Sequence, residues 1–125
     1  MHQLQLPPLV EGETYIGAIG DKNGDVYHVI LLPGDQECTT WQKAMDWAQS
    51  IGGDLPNRVE QAMLFAGFND QFKRDWYWSN QTLVDPDDPE DTASAWFQSF
   101  GYGDQSLNRK GSIICRARAV RRLPI

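Results

Sequence analysis

The sequence predicts an α+β protein. Three features carry this: two β-prone stretches joined by an Asn-Gly turn, two capped amphipathic helices after them, and a last third in which aromatic and β-branched residues dominate. No repeat, linker or low-complexity segment interrupts the 125 residues, so they read as one domain, with a core from about residue 14 to residue 122.

The first element is a hairpin. Tyr15–Ile19 and Val26–Leu32 flank Asp21-Lys22-Asn23-Gly24-Asp25, where Asn-Gly suits the positive φ angles of a tight turn. A calcium loop would need glycine and glutamate at spacings this segment lacks. A helix is expected next, with Thr39 as N-cap and Gln42 at the capping-box spacing. Trp41, Ala44, Met45, Ala48 and Ile51 share one face, and Gly52-Gly53 ends it. Asn57 caps a second helix with Glu60 at its third position, and Val59, Ala62, Met63 and Ala66 make an apolar stripe. Met45 and Met63 are core filler.

Strand-like segments follow at Trp76–Ser79, Ser94–Phe100 and Ser112–Val120. An acidic, proline-broken loop, Asp85-Pro86-Asp87-Asp88-Pro89-Glu90-Asp91, separates the first two. In the last, alternation places Ile113, Cys115, Ala117 and Ala119 inward and Arg116 and Arg118 outward.

Composition narrows the function. Hydrophobic residues at 41% and charged residues at 22% fit a folded domain. The longest aliphatic run, Val29–Leu32, is far short of the roughly 18 residues of a membrane span. The opening Met1-His2-Gln3-Leu4-Gln5-Leu6-Pro7-Pro8 lacks a basic start and an apolar segment before a cleavage site, so a cytoplasmic protein is expected. Net charge is −6, which disfavours direct binding to nucleic acid or anionic lipid. From Gly101 onward six basic residues (Arg109, Lys110, Arg116, Arg118, Arg121, Arg122) face Asp104 alone, or +5. They either pair across the fold or form a basic tail for an acidic partner. With Cys38, Cys115, His2 and His28 as its only cysteines and histidines, the chain offers no zinc ligand set and few nucleophilic constellations, so no metal and no cofactor are expected.

Five motifs in order carry a resemblance: Trp41 with Ala44; Gly52-Gly53-Asp54-Leu55-Pro56-Asn57-Arg58-Val59-Glu60; Tyr77-Trp78-Ser79; Ala95-Trp96-Phe97; and Arg116-Ala117-Arg118-Ala119-Val120-Arg121. Over roughly residues 14 to 122 the chain resembles a family of unknown function. That family includes the C-terminal domain of bacterial collagen-like adhesins and many small phage and prophage proteins, and it is similar to the C-type-lectin-like fold. The resemblance implies two helices packed on twisted antiparallel sheets, adjacent N- and C-terminal strands, and a long loop on one side. Extracellular members carry cysteines at positions that fall near Ala48 and Ala119 here, so two free thiols and the reducing setting of a phage-encoded form are implied. The tripeptides of calcium-dependent sugar readers are missing: Leu55-Pro56-Asn57 lies at a helix start and Phe68-Asn69-Asp70 upstream of the loop. Sulfatase-activating oxidases resemble this architecture but need a reactive cysteine pair near the C-terminus, where only Cys115 stands. Adjacent carboxylates on a flexible loop lack an apolar pocket to tune them, and an enzyme is not expected.

Binding remains. Trp76, Trp78 and Trp96 with Tyr77, Phe97 and Tyr102 either fill a small core or form a contact surface. Trp78 and Trp96 suit the core but are kept as candidate contact residues. Beside them stand Asn80, Gln81, Gln98, the loop acids Asp87, Asp88, Glu90 and Asp91, and Tyr102, Asp104 and Gln105 of the following turn. The leading expectation is a non-enzymatic, phage- or prophage-derived recognition domain that binds a protein partner through its long-loop and C-terminal strand face. Two alternatives stay open. One is a virion-associated tail or adhesin-type component reading a cell-surface glycan or protein; the other is an acidic decoy of a nucleic-acid-binding protein. The oligomeric state is open among them.

Overall fold

The structure, a computed structural model, describes residues 4–125; the start of the opening stretch, with His2, lies outside the described residues. The described chain runs β1 (Thr14–Gly20), β2 (Val26–Leu31), β3 (Gln36–Thr39), α1 (Trp41–Ser50), α2 (Arg58–Phe68), β4 (Trp76–Thr82), β5 (Ser94–Ser99), β6 (Gln105–Arg109), β7 (Cys115–Ala117) and β8 (Val120–Pro124), with a 3-10 turn at Asn69–Gln71. It is α+β, as its sequence predicts. The strands form a three-stranded sheet ordered β1-β2-β8 and a five-stranded sheet ordered β3-β7-β4-β5-β6. The expectation of antiparallel sheets needs one correction, because β4 and β7 pair in parallel through Tyr77 and Arg116.

The hairpin β1–β2 stands where expected, but its turn is not a two-residue one. Asp21 spans it, its Oδ1 accepting the amides of Asn23 and Asp25 at 2.8 and 3.0 Å, and only Gly24 takes a positive φ, +86°. At α1 the cap shifts by one residue. Thr39 belongs to β3, and the Thr40 side chain accepts the Lys43 amide. With Thr40 as cap, Gln42 falls at the second helical position and bonds Asp46 instead. Asn57 closes the full capping box of α2 with Glu60 as predicted.

β4 carries the core on both sides. Trp78 packs with Ala44, Ala48, Leu55, Phe97, Cys115, Ala117 and Ala119 beneath α1. Its neighbour Tyr77 packs with Ile16, Val29, Leu31, Leu64, Phe100 and Val120 beneath α2. Successive strand residues point to opposite faces, so the two helices cover opposite faces of the five-stranded sheet. The indole N–H groups are satisfied: Trp78 donates to the Thr39 carbonyl at 2.9 Å and Trp41 to the Ser79 carbonyl at 2.8 Å. Ala48 and Ala119 share the first cluster, and Cys38 and Cys115 are free.

Three sequence expectations fail here for physical reasons. The segment 112–120 is not one strand: β7 and β8 belong to different sheets, and the chain crosses between them at Arg118 and Ala119. Ile113, before β7, is therefore 65% exposed, while Arg118 is 8% exposed and points inward. Its guanidinium donates to the carbonyls of Gln71 and Leu32 at 2.6 and 3.0 Å. Arg116 is likewise turned in toward Asp35. Ile51 sits at the exposed end of α1 rather than on its buried face. In α2 the buried side chains are Glu60, Gln61 and Leu64, whereas Val59, Ala62 and Ala66 face solvent. Met63 of the expected stripe does pack against the core, but Leu64 and Phe68 offer more apolar area than the valine and two alanines and take the rest of it.

Candidate functional site

The reversed face of α2 makes one wall of a groove of about 540 Å³. Arg58, Val59, Ala62 and Phe65 line it from the helix, and Gln81, Gln98, Gly103 and Gln105 from β4 and the β5–β6 hairpin. Local rules account for each wall. The capping box and the burial of Leu64 set the rotation of α2, which leaves Val59 59% exposed. The hairpin closes tightly at Gly103, whose φ is +88° and whose Cα rests so near the Phe65 ring that a Cβ would lie 2.7 Å from it.

A glutamine frame holds the groove. Gln105 Nε2 donates to the Gln98 side-chain oxygen at 3.0 Å and to the Arg58 carbonyl at 2.8 Å, and its Oε1 accepts Arg58 Nε at 2.9 Å. Gln98 Nε2 donates to the carbonyls of Ser99 and Asp104. Gln81 Oε1 accepts the Arg58 amide at 2.7 Å, at the first turn of α2. The Arg58 guanidinium lies over the Trp96 ring, 3.6 Å from its centroid.

Of the residues singled out from sequence, Gln81, Gln98 and Gln105 line this groove, and Trp96 supports it from beneath Arg58. Asp104 contributes its carbonyl to the frame. Tyr102, 89% exposed, stands beside it at the tip of the hairpin. Trp78, by contrast, is 0% exposed and offers no contact surface, the correction its place on β4 requires. Asn80 is turned inward to Asp54, 2.9 Å away. Asp87, Asp88, Glu90 and Asp91 are exposed on the long loop and line no part of the groove; Asp91 caps the Ala93 amide at 3.1 Å. The sequence did not point to exposed Val59 and Ala62, or to half-buried Arg58 and Phe65, as groove residues. The signal for them was the size of Leu64 and Phe68 on the opposite side of the same helix.

The strongest electrostatics lie outside the groove. Arg122 clamps Glu60 through Nε and Nη2, both at 2.7 Å, and reaches Asp54 at 2.7 Å and the Leu55 carbonyl at 3.0 Å. Burial opposes the Arg122 charge, but the two carboxylates outweigh it and its pKa rises above the ordinary arginine value. Arg121 pairs with Glu13 and holds that carboxyl below the usual range. Arg116 pairs with Asp35, which also accepts the Tyr77 hydroxyl; burial and this carboxylate raise the Tyr77 phenol. Much of the basic C-terminal charge thus pairs across the fold rather than forming a free tail. Burial pushes the Cys115 thiol up to about 12, so it is no nucleophile at neutral pH. Among the described residues no group of three or more His, Cys, Asp or Glu is placed to hold a metal ion, and no helix is long and apolar enough to cross a membrane. No family model and no curated protein matches the chain.

Proposed function

We propose that this protein is a non-enzymatic recognition domain of C-type-lectin-like architecture and phage or prophage origin, and that it binds a segment of a protein partner in the groove between α2 and the β5–β6 hairpin. The architecture and origin rest on the order and spacing of the five sequence motifs. One observation carries the site: Val59 and Ala62 stay exposed on α2, with the half-buried Phe65 ring at the groove floor, beside polar groups already locked in place. Apolar walls with a few oriented polar groups are what a bound segment needs, because little ordering entropy is left to lose on binding. The carboxylates that general acid-base chemistry would use at Glu60 and Asp54 are tied to Arg122.

The test is affinity capture from the bacterium that carries the gene, with mass spectrometry as readout. It compares the natural chain, an Ala62→Arg variant that fills the groove, and a loop variant with Asp87, Asp88, Glu90 and Asp91 changed to alanine. A stoichiometric partner lost only with Ala62→Arg supports the reading. A partner lost only with the loop variant moves the site to the acidic loop, and no partner at all refutes the proposal.

A further inference from the structure

Resting on the groove as the binding site, the balance of free hydrogen-bonding groups within it decides what the bound segment carries. Gln98 and Gln105 have both ends of their amides engaged in the frame. The groups left over are donors. Arg58 uses Nε on Gln105 and its amide on Gln81, while its two terminal amino groups make no hydrogen bond among the described residues. Gln81 spends its oxygen on the Arg58 amide, which leaves its amino group. No carboxylate among the described residues lies within ion-pair distance of Arg58, whereas Arg121 has one and Arg116 and Arg122 have two each.

Arg58 is also held in place. Stacked on Trp96 and pinned through Nε, its guanidinium keeps its outer edge free and has little rotamer freedom left to lose. A guanidinium edge and the Gln81 N–H₂, both lining the one groove, are the donors that a carboxylate's two oxygens accept. The apolar stretch from Val59 to Phe65 lies beside it, so an aliphatic side chain next to the acid has a place to go. The net charge of −6 disfavours a polyanion such as nucleic acid but tolerates one carboxylate received by one arginine.

We infer that the groove receives a peptide segment of a partner protein bearing a carboxylate, taken by Arg58 and Gln81, with an adjacent aliphatic side chain packed against Val59, Ala62 and Phe65.

The probe is a phage-displayed library of random heptapeptides selected on the intact protein, with the enriched sequences synthesised and their affinities measured by fluorescence polarisation. The inference expects Asp, Glu or a free C-terminus beside an aliphatic residue. It also expects about a tenfold or greater loss of affinity with Arg58→Gln, in line with loss of a charge-assisted hydrogen bond, and no change with Arg109→Gln, an exposed arginine outside the groove. Arg58→Lys keeps the charge without the planar fork and is expected to fall between; it guards against a fold defect in Arg58→Gln, as do the melting curves of both. Neutral or basic peptides that Ala62→Arg displaces would overturn the acidic ligand while leaving the groove as the binding site. Peptides indifferent to Ala62→Arg, or no enrichment, would overturn both.

Discussion

Replacing Arg122 by methionine isolates the clamp that joins the last strand to the start of α2. Glu60, 0% exposed, accepts from the Asn57 amide at 2.8 Å, the Tyr27 hydroxyl at 3.0 Å and twice from Arg122 at 2.7 Å. Arg122→Met removes the two shortest of these and leaves a buried carboxylate half satisfied, with Asp54 keeping only Asn80. Removing one partner of a buried pair costs about 3–5 kcal/mol, against about 0–1 kcal/mol for an exposed pair. Glu60→Gln should cost less, about 2 kcal/mol, because Arg122 keeps Asp54 and the Leu55 carbonyl. The double variant no longer orphans a charge, so it should be more stable than the sum of the singles by about 1–3 kcal/mol. Urea unfolding followed by tryptophan fluorescence measures all three, provided the denaturant slope is unchanged. A cost below about 1 kcal/mol for Arg122→Met, or strictly additive losses, would refute the clamp as a buried unit.

Further outcomes follow from the same geometry. Gly103→Ala meets the Phe65 ring at 2.7 Å in a left-handed backbone position, so it should destabilise by roughly 1–3 kcal/mol in the same unfolding assay. On the rotated face of α2, Val59→Lys and Ala66→Lys should change stability by less than about 0.5 kcal/mol, whereas Gln61→Lys, placed where the Gln61 amide now bonds the carbonyls of Tyr77 and Trp78, should unfold the protein at a markedly lower urea concentration. Thiol titration with an aromatic disulfide reagent should give one rapid equivalent from exposed Cys38, and a second from Cys115 only on unfolding; two rapid equivalents would contradict the buried position. The Glu13 carboxyl is held below its ordinary 4.5 by Arg121, so the folded state binds fewer protons there than the unfolded one. Its contribution is complete above pH 4.5 and is lost as pH falls through the lower folded value, and Glu13→Gln should flatten that acid limb of a pH-stability curve.

Local chemistry made several elements legible in the sequence. Asn57 and Glu60 announced the start of α2, Gly52-Gly53 the end of α1, and the alternation around Cys115 and Ala117 a buried strand, because caps and short-range periodicity depend on residues within one or two turns. Of the groove, Gln81, Gln98 and Gln105 could be picked out as polar groups beside rings, but nothing local said that they would meet. Their meeting depends on the rotation of α2. A helix with two weak stripes has two ways to lie on a sheet, and packing against Tyr77 and Phe100 favours the side bearing Leu64. The same holds for the C-terminal arginines: alternation turns Arg116 away from Cys115 and Ala117, but Asp35 meets it on that side, and the change of sheet after Arg118 carries Arg122 to Glu60.

The amino-acid order alone determined the α+β class, both helices, the N-terminal hairpin and the acidic balance, since each follows from propensity, capping and composition. Tertiary structure decided which helix face is buried and which arginines are paired with carboxylates. Those outcomes turn on contacts between residues tens of positions apart, such as Arg58 with Gln105 and Arg122 with Glu60, whose energies exist only once the sheets have brought them together.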